Sequence, residues 1–296
     1  LAPGKTLWLF GDSFIATSPK HVRSESRFIR NSIAIQTGTN PAASSISFHW
    51  RERGTPSVPF SFFPEAGDHW FWPVHGARVG KELVLFLTEL VRSQGDLGFT
   101  AIGTRMVRVK NPDDAPEAWL TESRALPTDG RSHGTSVVAE NGYLYSLTTK
   151  KTVFFDVELE RWPVDRLDGP SAFFTGTGFT VDAGSSTAIW KGGAPEFVTA
   201  AHCGEYLTVE SVGFGATDLA IRRAKALTGP WTAPENVFRP EESDRPKPFV
   251  YAGKFHPSQT GADLVATYAA NSFDFAEVLR DSSLYYPRFV RIQEER

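Results

Sequence analysis

Leu83-Val-Leu-Phe-Leu-Thr-Glu89 is an apolar run that the chain uses, with variation, five times. Its counterparts are Leu7-Trp-Leu-Phe-Gly-Asp-Ser13, Tyr143-Leu-Tyr-Ser-Leu-Thr-Thr149, Tyr206-Leu-Thr-Val-Glu-Ser-Val212 and Leu264-Val-Ala-Thr-Tyr-Ala-Ala270, and the five starts lie 76, 60, 63 and 58 residues apart. An earlier strand and a turn precede four of them, at Phe71–Val79, Gly134–Ala139, Glu196–Ala201 and Tyr251–His256. Hairpins at even spacing, none of which buries both faces alone, are typical of blades stacked around an axis. The pattern predicts an all-β, five-bladed β-propeller.

The first repeat has no earlier strand. We expect the C-terminal run Leu284–Ile292 to supply it, which would close the ring by pairing the two ends of the chain and remove an exposed sheet edge. No linker interrupts the series, and the irregular stretches 40–67 and 111–130 are interpreted as loops. Residues 1–296 are therefore predicted to form a single propeller domain. The alternative is a pair of stacked β-sandwich domains whose strand spacing coincides.

Composition narrows the classes of partner. The net charge is −3, the isoelectric point is near 6.2, and Lys and Arg do not cluster as they do in proteins that bind nucleic acid. No apolar run approaches the roughly 20 residues of a bilayer span, so no integral membrane segment is expected. The one cysteine, Cys203, excludes an intrachain disulfide and a cysteine-based metal site. A neutral or weakly charged ligand fits these features, and we expect the protein to be a monomer.

Asp12 follows the first apolar strand in Phe10-Gly11-Asp12-Ser13. The motif resembles the first block of serine esterases named for Gly-Asp-Ser, but the chain has no Gly-x-Asn-Asp block, and Gly253 stands three residues before His256 where those enzymes need an aspartate. In a propeller, Asp12 instead lies at the end of a strand in the first blade, where a carboxylate after an apolar run indicates a pocket. A turn aspartate that caps the strand is the structural alternative.

Glycoside hydrolysis needs a second carboxyl group, and the sequence offers Glu196. One group acts as a proton donor and the other as a base or nucleophile. Glu196 opens the strand Phe197–Ala201 after a Gly-Gly-Ala-Pro turn, and its apolar flanks would favour the protonated form that an acid catalyst requires. Asp68 and Glu210 are reserve candidates, and each of these acids is alternatively a solvated charge at a strand end.

Further residues are expected to bind the ligand. Two His-Gly pairs open the second and third inner strands, aromatic residues precede the first of them, and polar residues alternate with apolar ones near the N-terminus. Imidazoles hydrogen-bond to hydroxyl groups, and aromatic faces stack on the C–H faces of sugars. The candidates are Arg30, Asn31, Trp70, Trp72, His75, His133, Glu210 and His256. No metal ligand set is predicted, and an axial calcium or other ion, or water, would be structural.

Several short motifs together resemble a known group of enzymes. These are Phe-Gly-Asp-Ser (10–13), Arg-Asn-Ser (30–32), Phe-Trp-Pro-Val-His-Gly (71–76), His-Gly-Thr-Ser-Val-Val (133–138) and Leu-Thr-Gly-Pro-Trp (227–231). Their order is similar to that in the five-bladed propeller glycoside hydrolases, including arabinanases and arabinofuranosidases. The chain most resembles a bacterial propeller group that includes endo-acting D-arabinan hydrolases.

The resemblance implies a secreted or periplasmic glycoside hydrolase that acts on a furanose-containing, arabinan-like or related polysaccharide and requires no cofactor. In such enzymes an aspartate of the first blade works with acidic residues of later blades. Asp12 matches the first role, Glu196 matches the acid by position, and His75 stands where an aspartate would open the second inner strand. A carbohydrate-binding propeller without catalysis is the alternative from another class.

Overall fold

A computed structural model of the chain describes residues 1–94, 98–213, 217–246, 248–257 and 264–293. The protein is 55% strand and 7% helix, and five successive antiparallel sheets give the arrangement of a five-bladed β-propeller. The predicted fold class is therefore confirmed. The chain divides into two compact units, Leu1–Gly134 and Thr135–Arg296. The assignment of 1–296 to a single domain stays a prediction.

The first unit contains blades 1 and 2. Blade 1 has the strand order β1-β4-β5, blade 2 has the order β11-β10-β9-β8, and the pairs β2-β3 and β6-β7 stand beside them. The strands are β1 (Lys5–Phe10), β2 (Ser13–Ile15), β3 (Arg27–Ile29), β4 (Ser32–Thr37), β5 (Ser45–His49), β6 (Arg51–Arg53), β7 (Val58–Phe60), β8 (His69–Val79), β9 (Glu82–Arg92), β10 (Phe99–Val109) and β11 (Thr121–Ala125).

The second unit contains most of blade 3 and all of blades 4 and 5. Blade 3 runs β12 to β16 with β17 against β14, blade 4 is β18-β19-β20-β21, and blade 5 is β22-β23-β24. Its elements are β12 (Arg131–Glu140), β13 (Tyr143–Lys151), β14 (Phe155–Pro163), β15 (Ala172–Phe174), β16 (Phe179–Thr180), β17 (Ala188–Gly193), β18 (Phe197–His202), β19 (Glu205–Val212), β20 (Asp218–Ala224), β21 (Glu235–Phe238), β22 (Phe249–Phe255), β23 (Leu264–Asn271), the helix α1 (Phe275–Arg280) and β24 (Pro287–Ile292).

Neighbouring blades pack through apolar faces. In the first unit, Ile33 of blade 1 lies in one cluster with Phe71 and Leu85 of blade 2. In the second unit, Leu159 of blade 3 packs with Phe197 of blade 4. Burial of each such side chain stabilises the fold by roughly 1.5–3 kcal/mol. The repeated apolar strands thus supply the core that each hairpin lacks alone.

Two sequence predictions about the ends and loops are wrong. β24 pairs with β23 in blade 5, and β1 pairs with β4 in blade 1, so Leu284–Ile292 is the last strand of its own blade rather than the missing strand of blade 1. The supposed loop 40–67 contains β5, β6 and β7, and 111–130 contains β11. These outer strands are largely exposed and lack an alternation of buried and exposed residues, which is why the sequence did not indicate them.

In the described part of the chain, no helix has the length and apolar character that crossing a membrane requires.

Candidate active site around Asp12

A break in the first hairpin places Asp12. β1 pairs with β4 up to Phe10 opposite Ser32, and β2 pairs with β3 from Ser13 opposite Ile29. Two residues on each strand, Gly11-Asp12 and Arg30-Asn31, therefore lie outside both ladders and face each other. From this break, the side chains of Asp12 and Arg30 contact Trp72 and Trp70 of blade 2.

Asp12 is held by one hydrogen bond and one ion pair. The indole Nε1–H of Trp72 donates a hydrogen bond to Asp12 Oδ1 at 2.9 Å. Arg30 Nη1 lies 3.6 Å from Asp12 Oδ2, and the side chains of Arg30 and Asp12 are 26% and 12% exposed. No other hydrogen bond or ion pair of Asp12 is present within the described ranges. The two carboxylate oxygens therefore have different environments, one hydrogen-bonded and one beside a cation.

Burial dominates the electrostatics of this carboxyl. Removal from water raises the pKa of Asp12 from 3.8 to about 6, against the lowering effects of the Trp72 hydrogen bond and the Arg30 charge, while the negative charge of Glu65 adds to the rise. A carboxyl with a pKa near 6 is ionised at neutral pH and still takes up a proton readily, which suits a base or a nucleophile.

Arg30 is fixed from several sides. Its guanidinium lies over the ring of the buried Trp70, 4.5 Å from the centroid. Its backbone N–H donates to Ser61 Oγ at 3.0 Å, and Ser61 Oγ–H in turn donates to Glu65 Oε1 at 3.2 Å. Trp70, proposed from the sequence as a sugar platform, is therefore covered by a cation and acts on the site through Arg30.

Trp72 is only partly buried but tightly packed. A Cβ atom built on Gly11 would lie 3.4 Å from Trp72 Cδ1, so the backbone passes close to the indole. On Trp72, the ring of Phe99 makes an edge contact with a centroid distance of 4.8 Å. These contacts fix the orientation of the indole N–H toward Asp12.

Asn31 has a structural environment. It is fully buried, its Nδ2 donates to the carbonyl oxygens of Phe63 and Phe71, and its Oδ1 accepts from the Phe63 N–H. The bond to Phe71 joins blade 1 to blade 2. Every polar atom of this amide is used by backbone groups, so it holds in place the segment next to Arg30.

The other sequence candidates of the first unit lie elsewhere. Asp68 is exposed in the turn before β8. His75 is half-buried beside a bulge in β8, and His133 is buried with Nε2 3.2 Å from the Pro127 carbonyl oxygen. The structure thus brings together Asp12, Arg30, Trp70 and Trp72.

Close strand packing explains the equivalent His-Gly pairs. A Cβ on Gly76 would lie 2.4 Å from Leu85 Cδ2, and a Cβ on Gly134, whose φ is +74°, would lie 2.1 Å from Phe86 Cγ. Both positions require glycine on steric grounds, so the repetition reflects the close packing of Gly76 and Gly134 against β9. The histidines beside them remain predicted ligand-binding residues.

The acidic candidates of the second unit are each bound to a cation. Glu196 stands before β18, its side chain is 42% exposed, and its Oε2 lies 3.3 Å from Lys254 Nζ. The prediction that Glu196 lies in apolar surroundings is therefore wrong, because its carboxylate is partly exposed and paired with a lysine. Glu210 is fully buried, accepts from Arg222 Nε at 2.5 Å, and accepts from the Ala194 N–H at 2.9 Å. Glu210 thus holds the turn that precedes Glu196.

His256 and Ser13 each make hydrogen bonds outside the contacts of Asp12. His256 Nε2 lies 2.7 Å from Thr267 Oγ1 on the neighbouring strand. Ser13 Oγ donates to the Gly11 carbonyl oxygen and contacts Ser32 Oγ, each at 2.8 Å, so its described partners include no imidazole that could activate it. Across the residues that the structure describes, no three His, Cys, Asp or Glu side chains converge to hold a metal ion.

The family model described as "Domain of unknown function (DUF5005)" matches residues 1–294. The chain belongs to this family. Among curated proteins, none matches the DUF5005 chain in sequence.

Solved structures with the same fold are similar to the DUF5005 chain at low sequence identity. A Bacteroides ovatus protein described as a candidate hydrolase has a TM-score of 0.75 and 16% identity, over 98% of this chain and 82% of its own. The α-L-arabinanase of Cellvibrio cellulosa has a TM-score of 0.50 and 11% identity, over 95% and 91%. An exo-β-1,3-galactanase from Phanerochaete chrysosporium has a TM-score of 0.50 and 13% identity, over 88% and 56%. The expected likeness to propeller enzymes of this kind is confirmed at the level of the fold.

Three residues that contact the predicted site residues of the DUF5005 chain were not predicted from its sequence. Glu65 and Ser61 shape the Asp12 site from a segment that was interpreted as a loop, and Lys254 pairs with Glu196. None of the three stands in a motif. The one signal in the sequence was for Glu65, a carboxylate that stands shortly before the second inner strand β8.

Proposed function

We propose that the protein hydrolyses glycosidic bonds in a furanose-containing, arabinan-like or related polysaccharide, with Asp12 as base or nucleophile. The observation that carries the proposal is the state of Asp12, a buried carboxyl with a pKa of about 6 beside Arg30 and Trp72. Burial of an acid at such a cost to stability is typical of functional sites. The whole-chain fold likeness to an arabinanase and a galactanase supports a carbohydrate substrate.

The chemistry requires a proton donor as well. In the proposal, a protonated carboxylic acid gives its proton to the leaving glycosidic oxygen while Asp12 either takes a proton from the attacking water or attacks the anomeric carbon itself. Glu196 is the proposed acid. Carboxyl groups ~6.5–9.5 Å apart would give inversion of configuration, and a separation of ~5–5.5 Å would give retention. No metal or organic cofactor takes part, and a polysaccharide substrate fits a protein that acts as a secreted or periplasmic monomer.

A carbohydrate-binding propeller without catalysis is the second candidate. It is favoured by the ion pair between Glu196 and Lys254, because the Lys254 ammonium lies against the carboxyl group that would have to give a proton to the leaving oxygen. In this case Arg30 and Asp12 would hydrogen-bond to sugar hydroxyl groups, and no bond would break.

The two candidates differ in the release of reducing sugar. The assay compares the wild-type protein, Asp12→Asn, Glu196→Gln and the matched control Asp113→Asn, an exposed aspartate paired with Arg78 in the same unit as Asp12, on arabinans, other polysaccharides and aryl glycosides. The proposal predicts that the wild type and the control Asp113→Asn release reducing sugar at similar rates. In Asp12→Asn the rate should fall at least about 10³-fold. Turnover that survives in Asp12→Asn would overturn the role of Asp12. Binding without any turnover by the wild type would establish the second candidate.

A further inference from the structure

We propose that Trp72 is a positioning residue that holds Asp12 by one oxygen, so that Oδ2 is the oxygen presented to the reaction. The inference rests on the proposed hydrolysis for its kinetic consequence only. It reassigns Trp72, which the sequence suggested as a stacking surface for sugar, to a role exerted through the carboxylate of another blade.

The first observation is the asymmetry of the carboxylate. Oδ1 accepts the Trp72 N–H at 2.9 Å, a normal hydrogen-bond length, whereas Oδ2 lies 3.6 Å from Arg30 Nη1, beyond a direct hydrogen bond. A bond at Oδ1 leaves the lone pairs of Oδ2 available. Arg30 stabilises negative charge at Oδ2, and the hydrogen-bond effect of Arg30 on the pKa of Asp12 is smaller than that of Trp72, so Oδ2 is the less engaged oxygen.

The second observation is the packing of the indole. Phe99 makes an edge contact with the ring, its N–H donates to Asp12, and a Cβ atom at Gly11 would already be in van der Waals contact with it. A ring that is packed on one side and hydrogen-bonded through its N–H has little freedom to rotate, so its donor fixes the direction of the carboxylate plane. The same contacts reduce the ring surface that a sugar could cover.

The third observation is topological. Asp12 lies in the break of the first hairpin of blade 1, outside both ladders, whereas Trp72 is part of the long strand β8 of blade 2, where it pairs with Thr88. The rigid strand therefore positions the less constrained residue. A reactive group keeps its productive orientation when a second, well-packed residue supports it in this way.

The first test needs no variant. Because the indole proton is bonded to Asp12, the ¹H–¹⁵N signal of Trp72 Nε1–H should shift as the carboxyl ionises, with a midpoint of about pH 6, and should be constant with pH in Asp12→Asn. A Trp72 signal that does not change between pH 4 and pH 8 would overturn the proposal. This measurement requires no substrate, so it stands whether or not the protein hydrolyses sugars.

The second test removes the donor and keeps most of the ring, in Trp72→Phe. Trp119→Phe is the matched control, since Trp119 also donates its indole N–H, to the Asp114 carbonyl oxygen, away from the site. Loss of a hydrogen bond to a charged group should make Asp12 about tenfold weaker as an acid, which raises its ¹³C NMR titration midpoint by about one pH unit. The control should leave the midpoint unchanged.

Kinetics separate positioning from stacking. If Trp72 positions Asp12, Trp72→Phe lowers kcat about 10-fold or more, moves the acidic limb of kcat/KM upward with the Asp12 midpoint, and changes KM little. An increase in KM with an unchanged pH profile and an unchanged NMR midpoint would contradict the proposal and restore the stacking role. A wild type without turnover would refute the proposed hydrolysis alone, because the NMR midpoints would still decide the positioning.

Discussion

Asp12→Asn should make the protein more stable at neutral pH. The pKa of Asp12 is about 6 in the folded protein against 3.8 for the free side chain, because burial disfavours its charge. The folded state thus holds this proton more tightly than the unfolded state does. The free energy of unfolding therefore falls as pH rises from about 4 to about 6, and the loss is complete above that range.

The magnitude follows from the two pKa values. Their separation corresponds to a loss of about 3 kcal/mol at pH 7. The side chain is only 12% exposed, so solvent screening reduces this figure little. A neutral asparagine avoids the cost and keeps an acceptor for Trp72, so the variant should gain up to about 3 kcal/mol, or about 6 °C in melting temperature. Below pH 4 the wild type and the variant should be equally stable.

Thermal unfolding monitored by calorimetry from pH 3.5 to pH 8 measures the difference. Asp113→Asn is the control with the opposite sign, because a hydrogen bond from Arg78 lowers the pKa of the exposed Asp113, and its loss should bring no gain at pH 7. A variant Asp12→Asn that is no more stable than the wild type at pH 7 would refute the reasoning. So would a gain that is the same at pH 4 and pH 7.

Two stability predictions concern residues that the sequence had offered as functional or as their neighbours. Gly134→Ala should destabilise the protein by at least about 3 kcal/mol, because the added methyl group would overlap Phe86. The control Gly142→Ala has a similar positive φ but open space around the added methyl group, so it should cost only about 1 kcal/mol. Equal midpoints of the two variants in urea unfolding would contradict this prediction. Glu210→Gln should cost about 3 kcal/mol, since it removes the negative charge that the buried Arg222 guanidinium pairs with. The double change Glu210→Leu with Arg222→Met should cost much less than Glu210→Gln in the same unfolding assay, and an additive loss would be the contrary result.

The repeated strands were predictable because their signal is local. Leu83–Glu89 lies within β9 and Tyr143–Thr149 within β13, and both runs are rich in apolar residues and closely preceded by a turn, at Gly80-Lys81 and Asn141-Gly142. The pairing of Leu284–Ile292 with β23 was not predictable in the same way, because this run could pair with any open edge and its sequence does not specify which.

The site was predictable in part. Asp12 stood out because a carboxylate follows an apolar strand, but its partner Trp72 lies 60 residues away and was selected for a different reason. The burial of Glu210 depends on Arg222 in the next strand, and the pairing of Glu196 with Lys254 depends on blade packing. Contacts between blades are set by the tertiary structure, so a single sequence contains little information about them.

The dependence of kcat/KM on pH tests the central claim most directly. For a polysaccharide or aryl glycoside that the wild type cleaves, the account predicts an acidic limb with a midpoint of about pH 6, the pKa of Asp12 in the free enzyme, and loss of at least about 10³-fold in activity at pH 7 on Asp12→Asn. An acidic limb near pH 4, or hydrolysis that Asp12→Asn leaves intact, would contradict it.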